Sequence, residues 1–149
     1  MARHKVFFPL LCLACYDFNR NLFYHFDFPI IIPRVARIKI ADVDDIAEGT
    51  TVKFEFTRDD RLQEGFVGRF KGKLFAYDNT CRHLPISLDY GDNRFFDSKG
   101  ETLVCQTHGA VYEPETGLCT RGPCAGASLY ALEVVEEDGV LWFDEASLS

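Results

Sequence analysis

Histidine, basic residues and long apolar runs are all scarce in this chain. Only four histidines occur among 149 residues, and residues 35–149 hold just two of them. Asp and Glu outnumber Lys and Arg by 23 to 16, and the net charge of −7 argues against a nucleic-acid partner, because phosphate backbones are bound by basic surfaces. The apolar run at residues 6–14 is too short to cross a bilayer, so no membrane span is predicted.

Signatures of dinucleotide cofactors and of long helices are missing as well. No Gly-x-Gly-x-x-Gly motif occurs in the sequence, which excludes the usual binding loop for a nicotinamide or flavin dinucleotide. No internal repeat and no sustained 3.6-residue apolar period is present, so long helices are not expected.

Both histidines of residues 35–149 stand close to cysteines. They occur in Cys81-Arg82-His83, the first clamp, and in Cys105-Gln106-Thr107-His108, the second clamp. Two Cys and two His shared between two irons are the ligands of a Rieske-type [2Fe–2S] cluster. The spacing therefore predicts one such cluster per chain, held by Cys81, His83, Cys105 and His108.

The two clamps also limit what else the chain can do. A mononuclear oxygenase iron takes two His and a carboxylate, and the clamps leave residues 35–149 without a further His. No catalytic residue is therefore predicted, and a carrier of single electrons is favoured. Tetrahedral zinc stays an alternative, although structural zinc prefers C-x₂₋₄-C and H-x₃₋₅-H spacing. A metal-free domain with buried thiols is the other alternative.

Composition divides the chain near residue 34. Residues 1–34 are rich in Phe and interrupted by prolines, and their net charge of +2 leaves −9 on residues 35–149. We predict an amino-terminal extension at residues 1–34 and a cluster-binding domain at residues 35–149, with the cluster-binding part at about residues 79–126. The extension has three interpretations: a spurious or disordered segment, an added packing segment, or a targeting peptide. The protein is expected in the cytoplasm, with export left open.

Residues 35–149 have the residue pattern of an all-β domain. Turns are predicted at Lys71-Gly72 and at residues 137–139, and Asp42 is expected to cap one helical turn within residues 42–48. Short apolar or alternating segments predict strands at residues 37–40, 51–57, 63–70, 74–77, 101–104, 110–112, 128–135 and 140–143.

The clamps, with Gly109 after the second and Gly122-Pro123 farther on, resemble a Rieske-type ferredoxin over roughly residues 36–144. The resemblance implies three small antiparallel sheets, in a sandwich or partial barrel, with a cluster-binding tip formed by three loops. It implies that the two Cys of the clamps hold the inner iron and that the two His hold the outer iron near solvent. Gly122 and Pro123 would form a lid over the cluster.

Three positions place the resemblance on the ferredoxin side of the family, and a fourth matches the respiratory proteins. Ile86 and Thr107 stand where respiratory Rieske proteins have the two cysteines of a disulfide. Ala110 replaces a Ser that donates to a cluster sulfide in those proteins, whereas Tyr112 matches a tyrosine whose hydroxyl reaches a cysteine sulfur. Fewer donors to sulfur imply a low to intermediate reduction potential.

Two features depart from the family pattern. Residues 84–104, between the clamps, form a longer segment than is usual in Rieske ferredoxins. Cys119 and Cys124 flank the lid, and three roles stay open for them: buried thiols, a disulfide or redox-active pair, or further metal ligands.

These patterns favour a ferredoxin component that passes electrons from a reductase to an oxygenase or another oxidoreductase. Two alternatives stay open. One is a small Rieske subunit built into a larger oxidoreductase such as an assimilatory nitrite reductase. The other is a redox sensor in which Cys119 and Cys124 are the active thiols.

Overall fold

The computed structural model describes residues 37–148, and within this range it is all-β apart from two single 3-10 turns. The predicted fold class is confirmed, whereas the predictions for residues 1–34 lie outside the described residues. The strands are β1 (Arg37–Asp42), β2 (Thr51–Arg58), β3 (Arg61–Phe70), β4 (Lys73–Asp78), β5 (Leu103–Val104), β6 (Val111–Tyr112), β7 (Cys119–Arg121), β8 (Val134–Glu137) and β9 (Val140–Asp144).

The described strands form three separate antiparallel sheets of three strands each. Their orders are β1-β9-β8, β2-β3-β4 and β5-β6-β7. The first sheet joins the two ends of the described segment, since β1 pairs with β9. The expected set of three small antiparallel sheets is confirmed, with no closed barrel among residues 37–148.

Both predicted tight turns are present as two-residue hairpin loops. Lys71 and Gly72 connect β3 to β4, and Asp138 and Gly139 connect β8 to β9. Both residues of each loop have positive φ, between 51° and 77°, which is the backbone of a type I′ turn and matches the twist of the paired strands.

Two apolar cores lie on opposite faces of the central β2-β3-β4 sheet. Neighbouring residues of β3 face opposite ways because side chains alternate along a strand. Val67 joins Phe54, Phe56 and Phe143 in one core. Phe66 joins the other core, which also contains all four cysteines of the described residues. The cysteine-bearing loops are therefore fixed on a packed apolar base.

Two local predictions differ from the structure, and one strand was not predicted. The helical turn covers only Val43–Asp45, and Asp42 makes no capping hydrogen bond because its carboxylate pairs with Lys39 at 2.9 Å. The strand predicted at residues 128–135 begins only at β8, and residues before it make single bridges. β7 was not predicted, because its pairing with β6, rather than an apolar pattern of its own, makes it a strand.

Candidate metal centre

Three loops at one end of the sheets carry the predicted site residues. The first clamp follows β4, the second clamp connects β5 to β6, and the Gly122-Pro123 lid follows β7. The amide of Gln106 donates to the carbonyl of Leu88 at 2.7 Å, which ties the second clamp to the segment after the first. The predicted tip formed by three loops is present.

Both clamps close through the same backbone hydrogen bond. The amide of Cys81 donates to the carbonyl of Ile86, and the amide of Cys105 donates to the carbonyl of Ala110, each at 2.8 Å. Each cysteine therefore begins a compact turn that closes five residues later. Cys81 is 3% exposed and Cys105 is 0% exposed, whereas His83 and His108 are exposed.

The four side chains lie as two pairs of like groups, one of sulfurs and one of imidazoles. The Cys81 and Cys105 thiols are close enough for each to shift the pKa of the other. The rings of His83 and His108 lie 5.1 Å apart between centroids, at 88° to each other. Among residues 37–148, no three His, Cys, Asp or Glu side chains converge on one point. This donor set suits two adjacent metal ions, each with two like ligands.

Hydrogen bonds favour the ionised form of Cys81. Burial by itself would raise the pKa of this thiol, but a hydrogen bond from Tyr112 and others from the amides of His83 and Leu84 outweigh it and hold the pKa below its usual value. A thiolate is the form that binds metal. The hydrogen bonds around the first clamp thus stabilise the negative charge on the Cys81 sulfur that metal binding would require.

The second thiol of the pair is shifted in the opposite direction. Burial raises the pKa of Cys105, and the neighbouring Cys81 raises it further, although the amides of Thr107 and His108 donate to the sulfur and oppose the rise. Two adjacent thiolates repel each other without a cation between them. A bound metal would remove this repulsion.

Tyr112 is fully buried behind the sulfur pair. Its hydroxyl oxygen lies 3.2 Å from the Cys81 sulfur, as the resemblance predicted, and it accepts a hydrogen bond from the amide of Arg82 at 3.2 Å. It also lies 3.1 Å from the Cys124 sulfur, a contact that no sequence pattern indicated. Burial raises the pKa of Tyr112 far above its usual value, so the group is a neutral hydroxyl that can donate to sulfur.

The predicted lid packs directly on Ala110, two residues after the second clamp. Gly122 has φ +113°, and a Cβ built on it would lie 2.8 Å from the Cα of Ala110, so a larger residue would displace the loop. Gly109 also has positive φ, at +67°, where the chain turns after His108. Pro123 is exposed beside these residues.

A family model decides between the alternatives left by the spacing. The model of the Rieske [2Fe-2S] domain matches residues 36–144. The chain belongs to this family. Its cofactor is a Rieske-type [2Fe–2S] cluster, and a pair of buried thiols together with a pair of exposed imidazoles fits that group.

Similar proteins include both long oxidoreductases and small ferredoxins. Oxidoreductase NdmD of Pseudomonas putida is 33% identical over 78 residues, which are 48% of this chain and 12% of that protein. The ferredoxin of carbazole 1,9a-dioxygenase from Nocardioides aromaticivorans IC177 has a TM-score of 0.54 and 24% identity, over 72% of this chain and 96% of that chain. The terminal oxygenase of carbazole 1,9a-dioxygenase from Novosphingobium sp. KA1 has a TM-score of 0.59 and 19% identity, over 74% of this chain and 30% of that chain.

A polar network beneath the first clamp was missed by sequence reasoning. The side-chain amide of Asn79 donates to Asp89 at 2.9 Å, and its carbonyl accepts from the amide of Leu88 at 2.9 Å. Asp89 also accepts from the amide of Asn93 at 2.9 Å and from Lys53 at 3.2 Å. In sequence, residues 89–93 look like an ordinary solvent-exposed turn. In the Rieske domain the buried carboxylate holds the long segment between the clamps against β2.

The apolar residues of that long segment are also anchored to the sheet. Phe95 is buried and stacks on Phe66 of β3 at 4.0 Å between ring centroids. Phe96 pairs with Leu103 in a single bridge. These contacts fix the long segment on the underlying sheets.

The two arginines beside the site differ in their surroundings. Arg121 is exposed. Arg82 is half-buried, with its guanidinium 4.0 Å from the centroid of the Tyr130 ring and its Nε buried without a hydrogen-bond partner. Arg121 is therefore solvated, whereas Arg82 is held against Tyr130.

Among residues 37–148, no helix is long and apolar enough to cross a membrane.

Proposed function

We propose that the Rieske domain is a one-electron carrier in which Cys81 and Cys105 hold the inner iron and His83 and His108 the outer iron. The observation that carries this proposal is that the Cys81 and Cys105 thiols are buried, whereas the His83 and His108 rings are exposed and lie 5.1 Å apart between centroids. The bound cluster would supply reversible one-electron chemistry. The chain's own residues stabilise the thiolates by hydrogen bonds and keep the imidazole edge open to a partner.

Neutral imidazole ligands set the range of reduction potentials of such a centre. Compared with a four-cysteine cluster, two imidazoles in place of two thiolates leave the centre about two charges less negative, so an electron is added more easily. Exposure of His83 and His108 gives the electron a short path to a docked protein. Leu84, 45% exposed, supplies apolar surface beside them.

The proposed partners are a reductase as electron donor and an oxygenase, or another oxidoreductase, as acceptor. Support comes from the likeness in fold to small ferredoxins, of which the chain covers almost the whole length. The net charge of −9 on residues 35–149 would steer the domain toward a basic docking face. The rate of electron exchange with such a partner is expected to fall as ionic strength rises.

A potentiometric titration of the anaerobically purified full chain tests this function. We expect reversible uptake of one electron per chain at a single midpoint. Cys81→Ser should abolish this signal, and Ser87→Ala, at an exposed position six residues farther along the same loop, should leave it unchanged. Irreversible reduction, or a two-electron step in the wild type, would overturn the carrier role.

A second candidate function is a Rieske subunit or module of a larger oxidoreductase, such as an assimilatory nitrite reductase. The observation that favours it is the match to Oxidoreductase NdmD, of which the chain spans 12%. Size analysis of the native protein in a gently prepared extract distinguishes the carrier hypothesis from the subunit hypothesis. A free monomer supports the carrier, and stable co-purification with a large flavin- or haem-containing chain supports the subunit.

We propose the cytoplasm as the compartment. The four cysteines of residues 37–148 are free thiols, including Cys119 and Cys124, whose sulfurs lie 3.3 Å apart. Metal binding requires cysteines as thiolates and not as disulfides, and a reducing compartment keeps them in that form. Alkylation of intact cells before fractionation should recover both cysteines as thiols in the cytoplasmic fraction, whereas recovery from an exported fraction would contradict the assignment.

A further inference from the structure

The lid carries a second pair of sulfurs that the cluster does not use. The Sγ atoms of Cys119 and Cys124 lie 3.3 Å apart, across the hexapeptide Cys-Thr-Arg-Gly-Pro-Cys that contains Gly122 and Pro123. Both cysteines belong to the same buried core as the clamps. Tyr112 links the pair to a proposed ligand, since its hydroxyl touches Cys124 on one side and Cys81 on the other.

We propose that Cys119 and Cys124 form a reversible dithiol–disulfide site that modifies the lid and, through Tyr112, the cluster. A disulfide bond is about 2.05 Å long, so the two sulfurs need to approach each other by about 1.3 Å. The bond would join the first residue of β7 to the loop that follows this three-residue strand, and it does not require two packed sheets to move.

The chemistry is thiol–disulfide exchange with a small-molecule disulfide of the glutathione class. The Cys124 thiolate attacks the disulfide, forming a mixed disulfide and releasing one thiolate. The Cys119 sulfur then attacks Cys124, forming the Cys119–Cys124 bond while the second thiolate leaves and takes up the Cys119 proton. The pair loses two electrons and two protons, and the reagent is reduced to two thiols.

The environments of the two sulfurs fix this order. Cys124 is 9% exposed and Cys119 is 1% exposed, so an external reagent reaches Cys124 first. Burial, together with the neighbouring Cys124, raises the pKa of Cys119 to about 11, and only a thiolate attacks a disulfide efficiently. Cys119 is therefore the resolving cysteine, which reacts after Cys124 has been activated.

Tyr112 couples the pair to the cluster, and this part rests on the proposed function. In the dithiol, the Cys124 S–H can donate to the Tyr112 oxygen and strengthen the donation of Tyr112 to Cys81, because consecutive hydrogen bonds polarise one another. A disulfide has no S–H. Its formation should weaken the donation to Cys81 and shift the reduction potential of the cluster downward.

The test uses the full chain with its cluster, treated anaerobically with oxidised glutathione. In the fraction that keeps the cluster absorbance, peptide mapping after alkylation separates this pair from Cys12 and Cys15. We expect a Cys119–Cys124 peptide lighter by two hydrogens, which dithiothreitol reverses. Recovery of both cysteines as alkylated thiols, under conditions that fully oxidise a reference dithiol, would overturn the site.

Single variants test the order of reaction. Cys119→Ser should accumulate a glutathione adduct on Cys124, whereas Cys124→Ser should leave Cys119 unmodified. Equal modification of Cys119 in the Cys124→Ser chain would overturn the assigned order. If either variant fails to fold, the peptide map of the wild type still tests the disulfide site.

Voltammetry tests the coupling separately from the disulfide. Oxidation of the pair should lower the midpoint potential of the wild type and leave that of Tyr112→Phe unchanged. The same shift in both proteins would overturn the coupling while leaving the disulfide site intact. Wild-type protein that forms the disulfide yet has no iron–sulfur absorbance would instead contradict the proposed function.

Discussion

The hydroxyl of Tyr112 lies 3.2 Å from the sulfur of Cys81, and both groups are buried. Tyr112 cannot give its proton to the neighbouring amide of Arg82, which is itself a donor. When Cys81 is a thiolate, the tyrosine O–H is a charge-assisted donor to it. Such a bond strengthens as negative charge grows on the sulfur, so it stabilises the reduced centre more than the oxidised one.

Tyr112→Phe is therefore expected to lower the reduction potential of the Rieske domain by about 65–130 mV. This range converts a charge-assisted hydrogen bond of about 1.5–3 kcal/mol at about 60 mV per 1.4 kcal/mol for one electron. Protein-film voltammetry of the loaded chain gives the value directly.

Tyr77→Phe is the matched control for this prediction. Its hydroxyl is also buried but donates to the carbonyl of Pro114 at 3.0 Å, away from the clamps. The reduction potential of Tyr77→Phe should equal that of the wild type. Equal shifts in the two variants would show that the loss of any buried hydroxyl, and not the bond to Cys81, changes the potential.

Ala110→Ser is expected to raise the potential on a similar scale. Ala110 is fully buried and stands where respiratory Rieske proteins have a serine that donates to a sulfide, so a hydroxyl here would add the missing donor. Ala125→Ser, at an exposed position of the lid loop, makes the same chemical change away from the clamps and should leave the potential unchanged. An unchanged potential in loaded Ala110→Ser would mean that position 110 does not reach the cluster.

The sequence predicted the residues that sit close together along the chain and missed contacts that only folding creates. The clamps were found because adjacent donors are a local pattern, and Tyr112 was found through the family resemblance. The contact of Tyr112 with Cys124 spans twelve residues, and nothing in the local pattern at either residue specifies it. The cap predicted for Asp42 failed because Lys39 competes for the same carboxylate.

The Asp89 network shows the same limit in polar residues. Asp89 looked like a turn former because Asp, Gly and Asn cluster at residues 89–93. The side chain is instead buried, since Lys53 of β2 and Asn79 at the end of β4 both reach it. These partners lie 36 and 10 residues away, beyond any motif.

Asp89→Asn is expected to destabilise the domain by about 2 kcal/mol, because a side-chain amide would face several donors and Lys53 would lose its buried partner. Lys53 is only partly buried, which keeps the cost below that of a fully buried pair. The rate at which the cluster absorbance is lost on heating measures the effect, since unfolding is coupled to loss of the cluster. Asp44→Asn, at an exposed position, is the control and should behave like the wild type.

Because the Asp89 carboxylate is ionisable, the stability of the domain is expected to depend on pH. Burial would raise the pKa of Asp89, but hydrogen bonds from Asn79, the Asn93 amide and Lys53 hold it below its usual value. Its contribution is therefore complete above the unfolded pKa of about 4 and is lost as pH falls through the lower folded pKa. The difference between wild type and Asp89→Asn should shrink below about pH 4. A difference that grows in acid would contradict this reading of the network.

A chain that begins at Val35 is expected to fold and to bind as much iron as the full chain. Each strand of the three described sheets finds its partners within residues 37–148, and β1 begins two residues after Val35. Iron content and the melting temperature of both chains provide the comparison. Failure of the shorter chain to fold would assign residues 1–34 to the core and overturn the predicted division at residue 34.

The most direct test of the site is to determine which histidine nitrogens coordinate the reduced cluster. Anaerobically prepared full-length chain, labelled with ¹⁵N-histidine, should contain about two irons and two acid-labile sulfides, and pulsed electron paramagnetic resonance should detect two coordinated histidine nitrogens. His4→Gln with His25→Gln should leave the couplings unchanged, and His83→Cys or His108→Cys should remove one coupling and lower the potential. Stoichiometric zinc without labile sulfide, or a cluster without histidine coupling, would contradict the assignment of His83 and His108.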